Sequence, residues 1–382
     1  MRSIVQFALL PFALLLGVGA SGQTVTTGSA VPKAAQPTAG AAATPAPLAE
    51  GARPLTKEDL DGWLDGFMPY ALKRGDLAGA VVVVVKDGQV LTQRGFGYAD
   101  VASRTPVDPD RTLFRPGSVS KLFTWTAVMQ QVEAGRIDLD KDVNAYLDFQ
   151  IQSYQGKPVT MRQLMTHTAG FQEHGKRTIF EDVKFQISLA DYVKVQPKRI
   201  YAAGTTPSYS NYGTALAGYI VERVSKMSFD DYVEQRIFRP LGMTRSTFRQ
   251  PLPKGFVPQM AAGYRKGSDA ASKFEIVGPA PAGSLSSTGA DMARFMIAHL
   301  NQGAGLMKPE TARMMHDTPL TILPPLNRME LGFFETNING RQVIAHLGDT
   351  QLFHTALHLF MDEKIGIYMS FNATGEQASV GP

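Results

Sequence analysis

The sequence predicts an α+β fold: one antiparallel sheet built from strands at both ends of the chain, with flanking helices and a mostly helical lobe inserted between the two sets of strands. Three observations predict it. Residues 80–86 and 89–98 are β-rich runs around Asp87-Gly88, a dipeptide suited to a two-residue hairpin turn because both of its residues tolerate positive φ. Strand-like runs return late in the chain, over 331–338, 343–346, 355–361 and 365–372, with Asn339-Gly340 as a second such turn. Between these ends, apolar residues recur at helical spacing. Strands first and last, with helices between, close one sheet around its terminal segments.

Residues 1–22 begin with Arg2, continue through a twelve-residue apolar run over 7–18, and leave through Gly19-Ala20-Ser21-Gly22. This is the pattern of a secretory signal peptide cleaved near Ala20 or Gly22, and it predicts a periplasmic or secreted protein. The run is short of the ~20 residues a membrane span needs, so no span is expected in the mature chain. Residues 23–53 are rich in Ala, Pro, Thr and Gly and carry almost no large apolar side chains. They read as a disordered linker, because such a stretch buries too little surface to offset its ordering entropy. The folded domain is expected over 54–382.

Within it, Thr56-Lys-Glu-Asp59 is a capping pattern, and Leu60, Trp63, Leu64 and Phe67 follow at helical spacing. Pro69 is expected to kink or end that helix. Residues 80–85 are apolar at every position, so both faces of that strand should be covered. The lobe, about 118–300, holds a helix over 118–133 ending before Gly135, a stripe of Leu216, Ala217, Ile220, Val221 and Val224, and a helix capped at Thr288 with Met292, Phe295, Met296 and Leu300 inward. The final ten residues show no apolar periodicity. On this reading part of the outer sheet face is left uncovered, and self-association through that face is expected.

Composition narrows the function. The chain has no cysteine, which removes thiol catalysis, disulfides and Cys-based zinc sites. A net charge of +4 over 382 residues, without a Lys/Arg cluster, leaves no nucleic-acid footprint. No Gly-x-Ser-x-Gly elbow occurs, which argues against an α/β-hydrolase. His354 and His358 stand four apart without the intervening glutamate of a zinc protease. On a strand they are about 13 Å apart and cannot share an ion. No metal and no cofactor are expected.

Three short elements carry chemistry. Ser118-Val-Ser-Lys121 opens an apolar-periodic helix, where free main-chain N–H groups and the dipole favour a developing oxyanion at the serine. Lys121 returns to the same face almost one turn later, and partial burial could lower its pKa until it accepts the serine proton. Taken alone, the pattern equally fits a capping serine beside a solvated lysine. Tyr209-Ser210-Asn211 precedes the second stripe. A tyrosine there can pass protons and an asparagine amide can hold a substrate carbonyl and the lysine, although an ordinary turn into a helix fits too. His346-Leu347-Gly348 ends a strand, where Gly348 lets a substrate lie close and the N–H of Asp349 can join that of Ser118 as an oxyanion donor.

With these three in order, the sequence resembles the serine β-lactamase and penicillin-binding protein-like family, and within it class C β-lactamases and family VIII esterases. The likeness covers roughly 55–372 and includes Gly95-Phe-Gly-Tyr-Ala-Asp100, Phe114-Arg-Pro-Gly-Ser-Val-Ser-Lys-Leu-Phe123, Leu164-Met-Thr-His-Thr-Ala-Gly-Phe171, Pro240-Leu-Gly-Met243 and Ala282-Gly-Ser-Leu-Ser-Ser-Thr288. The resemblance implies a β-lactamase/transpeptidase-like fold. It implies Ser118 as the acylated residue, Lys121 as its partner, Tyr209 as the proton-handling tyrosine and Asn211 as its companion. His346 stands where penicillin-recognising relatives carry a lysine. A serine hydrolase acting through a Ser118 acyl-enzyme follows, on a small-molecule ester or a short peptide, including D-amino-acid and linearised natural peptides. The alternatives are a β-lactamase and a penicillin-binding receptor that acylates without turnover.

Overall fold

A computed structural model describes residues 54–376, except 174, 176, 177, 319 and 321–327. The signal-peptide and linker segments, 1–22 and 23–53, and the last six residues lie outside the described residues. The chain enters through helix α1 (Lys57–Gly75), capped by Thr56, whose side chain accepts from the Asp59 N–H. It then forms strands β1 (Gly79–Lys86), β2 (Gln89–Asp100) and β3 (Thr105–Pro106). After a long excursion it returns as β4 (Phe334–Ile338), β5 (Arg341–Asp349), β6 (His354–Phe360) and β7 (Ile365–Phe371). The seven strands are ordered β3-β2-β1-β7-β6-β5-β4 and pair antiparallel throughout. The first and last long strands meet at the centre, with Ala80 opposite Phe371 and Lys86 opposite Ile365. Asp87 and Gly88 take φ of 51° and 78°, and Asn339 and Gly340 take 52° and 76°, so both predicted turns have the positive-φ pair a tight hairpin requires.

The inserted part is less helical than its periodicities predict. Three longer helices stand in it: α2 (Ser120–Glu133), α3 (Asn211–Ser225) and α4 (Gly289–Leu300), with the shorter α5 (Pro309–His316) after them. The stretch between α2 and α3 is mostly irregular, broken where Gly135, Gly156, Gly170 and Gly204 take positive φ. Helix α2 lies at the centre of the domain and is buried nearly all round. Its two threonines satisfy their hydroxyls locally, Thr124 on Pro281 O and Thr126 on Leu122 O, and so cost little in an apolar setting. Phe123 stacks on Phe295 of α4 at 3.9 Å. Met292, Phe295, Met296 and Leu300 are buried as expected, and α4 lies against β1 and β7, with Gly289 beside Val81 and Gly366 beside Met296 and Leu300.

Pro69 does not end α1: the helix runs on through it to Gly75. Proline removes one main-chain donor, and the apolar face on both sides of it outweighs that loss. That face is Leu64, Met68 and Leu72, packed on Ala80, Val82, Phe96 and Tyr264, each large side chain contributing about 1.5–3 kcal/mol by burial. Trp63 and Phe67 are not inward: they are exposed and stack on each other at 4.8 Å. α1 and Tyr264 thus cover the outer face at β1. Over β6 and β7 buried residues alternate with half-buried ones facing outward. Among the described residues no helix is long and apolar enough to cross a membrane.

Candidate functional site

Ser118 lies in a single tight turn, Gly117–Val119, that leads into α2. Gly117 takes φ of 52°, and a Cβ there would stand 2.7 Å from the main chain of Asp349. Gly348 is equally confined: a Cβ would lie 2.0 Å from Pro116 O and 2.8 Å from Ser118 N. The serine turn and the end of β5 therefore touch backbone to backbone, an approach that only glycine on each side permits.

The strand register decides where the Asp349 N–H points. Thr350 N–H donates to Phe353 O, which makes Thr350 and Phe353 a hydrogen-bonded pair of the β5–β6 hairpin. Asp349 faces His354 one position along, where an antiparallel ladder leaves the two residues without mutual main-chain bonds. Its N–H is thus directed away from β6. On that side β4 pairs only as far as Ala345, so among the described residues no strand pairs with 346–349 there, and the serine turn lies against that edge.

Lys121, one turn into the helix, is fully buried. Its Nζ donates to Ser118 Oγ at 2.9 Å, Asn211 Oδ1 at 2.7 Å and Ala282 O at 2.8 Å. Burial lowers its pKa to about 7, partly offset by the negative charge of Glu173. A neutral amine has two N–H bonds and one lone pair. Asn211 and Ala282 can only accept, so they take the two N–H bonds and the lone pair is left facing Ser118 Oγ. The other nearby serines are occupied: Ser120 Oγ donates to Gly117 O and accepts from the Leu285 N–H, and Ser210 caps α3 through the Gly213 N–H.

Tyr209 and Asn211 flank that cap. The Tyr209 ring lies 4.8 Å from Lys121 Nζ and 4.4 Å from the His167 ring. The residue is 37% exposed. Its hydroxyl faces inward, where burial raises it above an ordinary phenol and a hydrogen bond with Ser118 opposes the rise. His167 Nδ1 accepts from the Ser210 N–H at 3.2 Å, which ties the tyrosine segment down, and burial holds its imidazole well below the usual range. Its contact is with the main chain of the tyrosine segment.

His346 is 1% exposed, with its ring 6.5 Å from Tyr209 and 5.2 Å from Phe334. Nδ1–H donates to Leu347 O at 2.6 Å, leaving Nε2 as a buried acceptor. Burial, aided by Lys121, lowers its pKa to about 3. The side chain alternates inward with Gly348, while Leu347 faces solvent. Asp349 and His354, opposite each other on β5 and β6, pair at 2.7 Å at the end of the two strands nearest the serine turn.

Sequence reasoning missed two partners of the lysine. Ala282 O comes from a short helix 161 residues away, inside a motif recognised only by resemblance. Glu173 lies two residues beyond Phe171 and reaches Asn211 across 38 residues. No local pattern signals either contact. Among the described residues no group of three or more His, Asp or Glu side chains gathers as a metal site would.

The beta-lactamase family model matches residues 60–381. "Protein flp" of Staphylococcus aureus strain N315 is 28% identical over 197 residues, 49% of this chain and 38% of that protein. A beta-lactamase of Yersinia enterocolitica is 30% identical over 249 residues, 65% of this chain and 61% of that protein. The chain thus spans less than two thirds of the length of these curated relatives. The octameric penicillin-binding protein homologue from Pyrococcus abyssi superposes with a TM-score of 0.70 at 25% identity, covering 82% of this chain and 73% of that one. A beta-lactamase/D-alanine carboxypeptidase from Pseudomonas syringae superposes with a TM-score of 0.71 at 21% identity, covering 84% and 96%, a likeness of fold alone. With the family match running over most of the sequence and the same fold in solved relatives, the chain belongs to the beta-lactamase family.

Proposed function

We propose that the protein is a serine hydrolase that cleaves an ester or a short-peptide amide through an acyl-enzyme on Ser118. One observation carries the reading: a fully buried lysine whose pKa falls to about 7 is hydrogen-bonded to the serine, with its other two partners fixed as acceptors. Near neutral pH a useful share of Lys121 is neutral and can take the Ser118 proton.

In the first half-reaction Ser118 Oγ bonds to the substrate carbonyl carbon as its proton passes to Lys121 Nζ. The carbonyl oxygen becomes an oxyanion between the Ser118 and Asp349 N–H groups. Collapse breaks the bond to the leaving group. That group takes a proton from the Tyr209 hydroxyl, which Lys121 replenishes. Tyr209 serves as a proton donor and relay in this scheme, because burial holds it as a phenol while Lys121 sits near 7. Water then attacks the acyl carbon, loses its proton through the same pair, and releases Ser118.

His346 favours this reading over a β-lactamase. A buried imidazole with a pKa of about 3 supplies no positive charge for a drug carboxylate. The apolar run and small-residue exit of residues 1–22 support a place of action in the periplasm or outside the cell. The test is a burst assay with p-nitrophenyl acetate, followed by a panel of short acyl esters, D- and L-peptides and nitrocefin compared by kcat/KM. A burst with steady turnover, and esters or peptides preferred to nitrocefin, is expected. A burst without turnover identifies an acylated receptor, and a preference for nitrocefin identifies a β-lactamase.

A further inference from the structure

Glu173 holds the side of Asn211 that is turned away from Lys121. Its Oε1 accepts from Asn211 Nδ2 at 2.9 Å, and its Oε2 accepts from the Asn211 main-chain N–H, also at 2.9 Å. A side-chain amide has one donor end and one acceptor end. With the donor end taken by a carboxylate, the Oδ1 end is the one that meets Lys121 Nζ, at 2.7 Å. Asn211 is the first residue of the fifteen-residue helix α3, where main-chain N–H groups have no partner inside the helix and a negative charge is favoured.

We propose that Glu173 is a positioning residue of this site: its carboxylate fixes the Asn211 amide with the carbonyl toward Lys121, and it sets a negative charge one amide group away from Nζ. The proposal rests on the reading of Lys121 as the base that activates Ser118. Its two effects are separable. The clamp keeps an acceptor on Nζ, so that the lone pair of the neutral amine stays aimed at Ser118. The charge favours the ammonium form and works against the burial that pushes Lys121 down. A base is most effective with a pKa near the working pH, and these opposed pulls leave Lys121 at about 7. The other titratable groups around Nζ carry little charge at neutral pH. Burial keeps His167 and His346 unprotonated and Tyr209 a phenol. Asp349 bears on the Tyr209 hydroxyl.

The experiment uses the whole protein labelled with ¹³C at the lysine ε carbon. The Lys121 resonance is identified by its loss in Lys121→Ala, and its titration is followed beside the pH dependence of Ser118 labelling by a fluorophosphonate. In Glu173→Gln the Lys121 midpoint should fall by about one pH unit, since a negative charge is removed at short range. Plateau labelling should slow by about 10-fold, because glutamine offers an acceptor to only one of the two Asn211 N–H groups. Glu173→Asp keeps the charge but is one methylene short, so the midpoint should stay within ~0.3 of wild type while labelling slows. A purely structural role would slow both variants and move neither midpoint, and that result overturns the proposal. If Glu173→Gln does not fold, Glu173→Asp carries the test, and wild-type labelling in it overturns the clamp. A wild-type Lys121 that titrates like an ordinary lysine defeats the base assignment itself, which is a different outcome from an unmoved midpoint.

Discussion

The pH dependence of Ser118 acylation follows directly from the burial of Lys121. The perturbation is pH alone, between 5.5 and 9. Burial lowers Lys121 from 10.5 to about 7, and only the neutral amine has a lone pair to accept the serine proton. The sign is therefore fixed: labelling speeds up as pH rises through 7 and levels off above about 8. With a midpoint at 7, about 3% of the lysine is neutral at pH 5.5, so labelling there should be about 30-fold slower than on the plateau. Tyr209 does not add a second rise in this window, because its phenol is raised. The assay is the second-order rate constant for fluorophosphonate labelling, with far-UV circular dichroism at each pH to show that the fold persists and Ser118→Ala as the blank. A rate that is flat across the range, or that is still climbing steeply at pH 9, would show that the lysine is not the base.

Other outcomes follow from the same contacts. Ser118→Ala should abolish labelling and remove at least ~10³ of turnover; labelling that persists would move the nucleophile elsewhere. Lys121→Ala and Tyr209→Phe should each cripple turnover, and the double variant should lose far less than the two losses combined, because both act on one proton; additive losses in the double-mutant cycle would separate their roles. Gly348→Ala should cost at least ~10² in kcat/KM, since its Cβ would meet Pro116 O at 2.0 Å and push the Asp349 N–H off the serine turn; near-normal kcat/KM would remove that edge from the site. Leu64→Ala should destabilise the fold by about 2–5 kcal/mol and expose the β1 face to a hydrophobic dye, both read in a urea titration; a loss under 1 kcal/mol would mean that α1 is not what covers the sheet.

Much of the fold was legible because it is written in local chemistry. Asp87-Gly88 and Asn339-Gly340 specify their turns through backbone sterics, Thr56 and Thr288 accept from the N–H three residues on, and the inward face of α4 follows from a period that any helix imposes. The same locality explains the errors. Leu60, Trp63, Leu64 and Phe67 share a helical spacing, but a helix of nineteen residues has more than one apolar stripe. Which stripe goes inward depends on what it meets, and Ala80, Val82 and Tyr264 meet Leu64, Met68 and Leu72. Pro69 illustrates the point from the other side, since a local penalty gives way to packing on both flanks.

The candidate site divides in the same way. Sequence alone determined that Ser118 and Lys121 share one face at the start of a helix, because three residues are nearly a turn, and the order of the motifs pointed to Tyr209 and Asn211. It did not determine the state of Lys121. A solvated lysine and a buried one are spelled alike, and it is burial between distant segments that lowers the pKa of this one to about 7, against the opposing charge of Glu173. Nor did it determine the burial of His346. The strand's alternation turns that ring inward with Gly348, while the register of β5 on β6 sends the Asp349 N–H to the edge beside Ser118. Turn preference and periodicity are properties of a few neighbouring residues. Burial, charge state and the direction of a main-chain donor belong to contacts between segments, and only the folded chain decides them.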